Sequence, residues 1–307
     1  MSSFRSGRAF HVAAELSGGP GPDADVPRAD RAGFAFAAFD DSPAGGFALD
    51  ATVRAGYWAT RTSRLGLAPT SHVLTAEPFH LAAQLASLDH ATHGRAAWIV
   101  GTASTPEALA TVGRSEADHL RQEVADVVEA VRLLWDSWED DAVVKDLATG
   151  RYLDPDKVHH VDFAGETFSV KGPLITPRPP QGQPVVLAAT EFADVVRPDI
   201  VLVRGDFREE AWHAREIGTP LVFGELGFDG GSGAGFAARL AGLATDLDGV
   251  LLHVADPADL PVLAEQVLPE LRQLGLHTPP EPGATLRATL GLPRPANRFA
   301  SLSKGIA

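Results

Sequence analysis

Short, continuously apolar runs recur along the chain at 9–14, 34–39, 64–69, 95–101, 184–189, 200–204, 220–225 and 249–254. They are rich in Val, Ala, Leu and Phe and lack helical spacing, as expected of parallel strands covered on both faces. Between most of them apolar positions fall three and four apart, predicting helices over 49–62, 77–91, 115–138, 208–217, 235–245 and 257–274. The clearest unit runs from 64 to 102 as strand, amphipathic helix and strand. Within it Glu77 and Pro78 suit a first helical turn, and Gly94 stands where the chain must reverse. Eight such strands alternating with helices predict an α/β chain folded as one TIM (β/α)8 barrel domain over 1–307.

Three stretches break the alternation. Residues 17–27 read as a Gly/Pro/Asp loop where a first helix belongs. Residues 140–183 form a long insertion after strand four, rich in Pro and polar side chains, and are a candidate lid. The third break is a deficit: only nine residues, 190–198, separate strands five and six. A full helical crossover needs roughly 10–12, so this one is cut short. The last segment, 278–307, reads as a packing tail.

Composition narrows the function classes. With 45% hydrophobic residues in 307, a large core is within reach. No apolar run approaches the ~18 residues of a membrane helix, and the start lacks a signal-peptide pattern. The absence of cysteine excludes disulfides, thiolate metal sites and thiol catalysis. A formal net charge of −14 argues against nucleic acid or anionic membrane as partner. A cytoplasmic protein, forming a homo-oligomer and acting on small molecules, is the expectation.

Barrel chemistry sits at the carboxyl ends of the strands, so polar residues there are the candidates. Asp40 and Asp41 end strand two, with a turn into Ser42-Pro43 as the plain alternative. Thr70, Ser71 and His72 end strand three; His72 can serve as acid or base near neutral pH, or the three can form a polar turn before the helix. His90 and His93 lack a third partner at metal spacing and read as structural, so no metal site is expected. Arg121 lies on the predicted 115–138 helix, where a charged pair with Glu123 is the plain reading. The glycine cluster 228–235 (FDGGSGAG) follows strand seven, a place where barrels hold phosphates, although a plain loop is the simpler reading. Trp135 and Trp138 are read as packing.

The blocks TSRLGLAPTS, EPFHLAAQLASLDHATHGRAAW, LLWDSWEDDA, FSVKGPLITPRPPQGQPVV and TLRATLGLPRPANR occur in this order. Together they resemble the nitrilotriacetate and dibenzothiophene-sulfone monooxygenase branch of the bacterial luciferase-like flavin-dependent family. That resemblance implies a barrel that binds FMN, reduced and supplied by a separate reductase, and monooxygenates a small organic substrate. It places Asp41 beside the flavin, Thr70 and His72 along it with His72 as the catalytic candidate, Arg121 where the family has a tyrosine touching the phosphate, and Thr190 near the phosphate end. The family's glycines and serine after strand five are replaced here by Ala188, Ala189, Thr190 and Glu191, so a weakened phosphate end is expected. A deazaflavin coenzyme, or a barrel kept for interaction without catalysis, are the alternatives.

Overall fold

The computed structural model describes residues 9–16, 25–45, 49–228 and 230–303. Eight strands close into a barrel: β1 (His11–Leu16), β2 (Phe36–Phe39), β3 (Gly66–His72), β4 (Ala97–Gly101), β5 (Val185–Ala189), β6 (Ile200–Val203), β7 (Leu221–Gly227) and β8 (Gly249–Val254). Neighbours pair in parallel all the way round, with β1 closing against β8. Each predicted apolar run thus supplies one strand, and the barrel expectation holds.

The helices follow their local signals. In α2 (Ala51–Ala59) the Asp50 carboxylate accepts from the Val53 N–H, and in α3 (Pro78–Ala91) the Glu77 carboxylate accepts from Phe79 and His80. The longest, α5 (Leu120–Asp136), is preceded by the short α4 (Pro106–Ala110). Then come α6 (Ala193–Val196), α7 (Phe207–Glu216) and α8 (Gly233–Leu243). Two expectations need correction. The stretch 17–27 is not all loop: 17–24 lie outside the described residues, but Asp25–Ala32 forms a helix, α1, with Pro27 in its first turn, a place proline tolerates. The helix read over 257–274 is broken into α9 (Asp259–Val262), a π-helical turn at Leu263–Val267 and α10 (Leu268–Gln273).

Alternation along the strands sorts the core into two layers. Phe36, Ala38, Ala68, Ala97, Val185, Leu187, Ile200, Leu202, Phe223 and Leu251 fill the barrel interior. Their neighbours, such as Val12, Ala37, Phe39, Leu67, Val201 and Val250, face the helices. Gly249 shows how tight the interior is: a Cβ there would lie 2.6 Å from the Phe223 ring. Leu286, Leu290 and Leu292 of the tail join the interior cluster from the amino-terminal end, so the tail plugs the foot of the barrel.

The motifs that mark the sequence most strongly are found at this foot. Arg95 donates to Thr92, Thr62, Leu65 and Ala59 oxygens, all buried. Asp89 accepts from the Gln181 backbone and side-chain N–H groups and from Ala96. Arg178 binds Asp136 and Asp140, and Gln183 binds Asp136. The segment 140–183 therefore leaves α5 at the foot. It continues as two small ribbons, Val143–Asp146 with Arg151–Leu153 and Phe163–Ala164 with Ser169–Val170. The second climbs the flank of α5, where Glu166 N–H donates to Asp126.

His277 sits in the same region, buried, with its Nε2 donating to the Gly33 carbonyl at 3.0 Å. Burial, then the charge of Arg272, pull its pKa down to about 4. Because the folded pKa lies below the unfolded value of about 6.5, the neutral ring's contribution is complete above pH 6.5 and is lost as pH falls toward 4. The expected loss over that window is at most about 3 kcal/mol. Urea unfolding at pH 7 and pH 4.5 checks it: His277→Leu should flatten the pH slope, and an unchanged slope would refute the assignment.

Candidate active site

The inward alternation that fills the barrel with apolar residues turns polar at the carboxyl ends. Continuing each inward row brings Glu15 of β1, Asp40 after β2, Thr70 and His72 of β3, Arg204 after β6, Glu225 of β7 and His253 of β8 to one mouth. Glu15 and His253 are direct register partners. His253 Nδ1 lies 3.1 Å from Glu15 Oε1 and its Nε2 lies 3.5 Å from Glu225 Oε1. Glu225 in turn meets Arg204 at 2.6 Å. The result is an alternating chain, Glu15–His253–Glu225–Arg204, across β1, β8, β7 and β6.

Its electrostatics follow from that order. The Glu15 carboxylate, then Glu225, raise the His253 pKa to about 10, so the ring is an imidazolium throughout the physiological range. Burial opposes ionisation of Glu225, but His253 and Arg204 outweigh it and hold its carboxyl below the usual range. Asp40 goes the other way: desolvation and the neighbouring Glu15 charge raise its pKa. None of Glu15, Glu225, His253 or Arg204 was singled out by the sequence. Their only signal was position, one polar residue ending each apolar run.

The five residues expected from the sequence all lie at the mouth or its rim, though their side chains do different things. His72 is held on both sides: Ala103 N–H donates to its Nδ1 at 3.0 Å, so its Nε2 carries the proton and donates to the Asp41 carbonyl at 2.8 Å. Its ring lies over Gly101, where a Cβ would come within 2.4 Å of Nδ1. Asp41 is on the outward alternation, and its carboxylate accepts from Ala51 N–H at the start of α2. Thr70 is half-buried on the inward row beside Ile99. Thr190 opens a 3-10 turn and donates to the Leu202 carbonyl. Arg121 pairs with Asp194 at 2.6 Å and also reaches the Glu191 carbonyl, while Glu123 is taken by Arg114. The short crossover thus survives as one turn and the four-residue α6, with Asp194 on it holding Arg121.

A cavity of about 340 Å³ opens where β5, β6 and β7 end, lined by Thr190, Glu191, Leu202, Arg204, Glu210 and Glu225. The glycine cluster after β7 behaves as the start of a helix, Ser232 Oγ accepting from Gly235 N–H; its Asp229 lies outside the described residues. His90 donates to the Pro177 carbonyl, and among the described residues no three His, Asp or Glu side chains gather as metal ligands.

A closed parallel (β/α)8 barrel with polar side chains converging at its carboxyl mouth is the architecture of barrel enzymes. The sequence places it within a family. A luciferase-like monooxygenase profile matches residues 26–197. A component of the pristinamycin IIA synthase of Streptomyces pristinaespiralis is 34% identical over 284 residues, 90% of this chain and 90% of that protein. N-acetyl-S-(2-succino)cysteine monooxygenase of Bacillus subtilis is 46% identical over 136 residues, 43% of this chain but 31% of that protein. The dibenzothiophene-sulfone monooxygenase of Rhodococcus erythropolis is 39% identical over 148 residues, 47% of this chain and 33% of the relative. The chain therefore belongs to the luciferase-like monooxygenase family, and the match spans about a third of the length of these last two relatives. A crystal structure of riboflavin lyase with modified FMN and riboflavin superposes with a TM-score of 0.84 at 21% identity, over 92% of this chain and 96% of that one. EDTA monooxygenase from Chelativorans superposes at 0.76 and 20% identity, over 94% of this chain and 99% of that one. These likenesses concern the fold.

Proposed function

We propose that this chain is the oxygenase of a two-component system: it takes reduced FMN from a separate reductase and monooxygenates a small organic substrate. The observation that carries the reading is the inward polar ring at the mouth of this family's barrel. Reduced flavin, when bound, supplies the two electrons with which one atom of O2 enters the substrate and the other leaves as water.

The residues present fit such a cofactor. Thr70 and the face of His72 line the side of the mouth at β3. Arg121, held against the Glu191 carbonyl in the turn that Thr190 opens, supplies a cation for the phosphate. His72 acts as a positioning residue, since both ring nitrogens are engaged in tying the ends of β2 and β4 together. His253 and Arg204, fixed as cations by their carboxylates, keep the charge of the mouth constant. Asp41 shapes the rim by anchoring α2.

An FMN titration followed by fluorescence tests the reading, with reductase, NADH and 18O2 added for turnover. One labelled oxygen atom in the product supports it. Saturating FMN without binding refutes it, and tighter binding of the deazaflavin than of FMN would replace FMN as the cofactor.

The phosphate end makes a separate prediction. The Arg121–Asp194 pair is exposed, and such pairs are worth about 0–1 kcal/mol, so a phosphate dianion can displace the carboxylate. Asp194→Asn frees the guanidinium and removes a like charge. FMN should then bind roughly three- to tenfold tighter, an effect of about 1 kcal/mol. Weaker binding in Asp194→Asn would place the phosphate elsewhere.

A further inference from the structure

A proton can be moved at the mouth only by a group that is free to gain and lose one, and the pairings there leave few. His253 is locked as a cation between Glu15 and Glu225, and Glu225 also holds Arg204. His72 engages both ring nitrogens, one with the Asp41 carbonyl and one with the Ala103 N–H. Asp41 lies on the outward alternation and accepts from Ala51 N–H. Among the described ionisable residues of the inward row, Asp40 is the one with no side-chain partner. Its carboxylate is supported by the Asp41 N–H.

Register fixes where that carboxyl stands. Ala38 pairs with Glu15 on one side and with Ala68 on the other, and Asp40 and Thr70 each lie two residues further along. Asp40 is therefore level with Thr70 and flanked by Glu15 at the opening of the barrel. The residue is exposed, so a molecule in the mouth can reach it. Glu15 faces it from β1, His72 from β3 and Asp41 from its own segment. Arg54 of α2 donates to its backbone carbonyl at 3.5 Å and to that of Leu16. Partial desolvation, then the Glu15 charge, lift the Asp40 carboxyl above its ordinary range, against the Asp41 N–H and His72.

We propose that Asp40 is the proton-transfer residue of the oxygenation, with Glu15 as a positioning residue that favours its protonated form. The inference rests on the oxygenase reading above. Of the two atoms of O2, one enters the substrate. The other leaves as water, and water formation consumes the two protons released when the reduced cofactor gives up its two electrons. As the O–O bond breaks, the Asp40 carboxyl gives its proton to the departing oxygen, and one released proton completes the water. The carboxylate takes up the second released proton, so Asp40 ends the turnover as it began. A group near neutrality in charge and within reach of the reacting atoms suits general acid work.

Asp40→Asn and Glu15→Gln in the full chain test the inference, first without cofactor. Carbon-13 NMR of the side-chain carboxyls, assigned with Asp40→Asn, should show Asp40 titrating above the ordinary 3.8, and Glu15→Gln should move the midpoint down. With reductase, NADH and 18O2, wild-type kcat should fall as pH rises through that midpoint, and in Glu15→Gln the fall should begin at lower pH. Asp40→Asn should bind FMN as the wild type does, turn over about a hundredfold more slowly, the low end of what a general acid supplies, and lose this pH limb. Asp40→Glu should restore part of the rate together with the limb. Labelled product formed by Asp40→Asn at the wild-type rate, or Asp40 midpoints that coincide in the wild type and Glu15→Gln, overturns this inference and leaves the oxygenase reading standing. A wild type that incorporates no label overturns both.

Discussion

Replacing Glu225 by Gln is expected to bring the His253 imidazolium back into the range where it titrates. In the folded protein His253 is held by Glu15 and, next, by Glu225, with a pKa of about 10. Its folded value lies above the unfolded one of about 6.5, so the stabilisation is complete below pH 6.5 and is lost as pH rises through 10. Full conversion of that shift would overstate the energy, because a third of the His253 side chain is open to solvent and screening discounts it; about 2 kcal/mol is a reasonable size. Glu225→Gln leaves Glu15 as the one carboxylate facing the ring and removes Arg204's partner. The His253 pKa should fall by about two units, and alkaline unfolding should begin correspondingly earlier. Proton NMR of the His C2–H resonances reads the titration directly, with His253→Gln providing the assignment. Turnover with reduced FMN should then acquire a pH dependence that follows the lowered His253 pKa, since the charge of the mouth then varies with pH. An unshifted His253 titration would mean that the alternating chain across β6, β7, β8 and β1 does not exist in solution.

The largest stability effect is expected at the other end of the barrel. Asp136 is fully buried and accepts from Arg178 Nε at 3.0 Å and from Gln183 Nε2 at 2.9 Å. Arg178, also buried, bridges on to Asp140, which Arg294 binds from the tail. Burial pushes the Asp136 carboxyl up, with Arg178 pulling against it. A pair this desolvated adds little net stability as a pair, but removing one member strands the other charge. Asp136→Ala should therefore cost about 3–5 kcal/mol in urea unfolding. The double replacement Asp136→Leu with Arg178→Met should recover much of that loss. If the single substitution costs less than about 1 kcal/mol, the size of a solvated pair, the foot network is not buried as described.

These two ends of the barrel were unequally legible. The blocks around Trp135–Asp136 and Arg178–Gln183 are among those that carry the family resemblance. The structure shows that they brace the foot. The mouth left a fainter trace. Strands covered on both faces are apolar throughout, so the sequence carries no marker of which residues point inward. Asp40 and Asp41 are neighbours and read alike. Yet Phe36 and Ala38 face the interior while Ala37 and Phe39 face the helices, and a shift of one residue exchanges the two faces.

The sequence by itself determined the number, order and parallel arrangement of the strands, the family, and the shortened crossover before β6. Those features rest on local periodicity and on the length of chain between runs, which no tertiary contact alters. Only the tertiary structure decided that Glu15, Arg204, Glu225 and His253 share one charged chain, and that Arg121 is held by Asp194. Those residues are separated by up to 238 positions in sequence, and their meeting depends on barrel closure and strand register. Closure puts β1 beside β8, and that contact makes neighbours of Glu15 and His253.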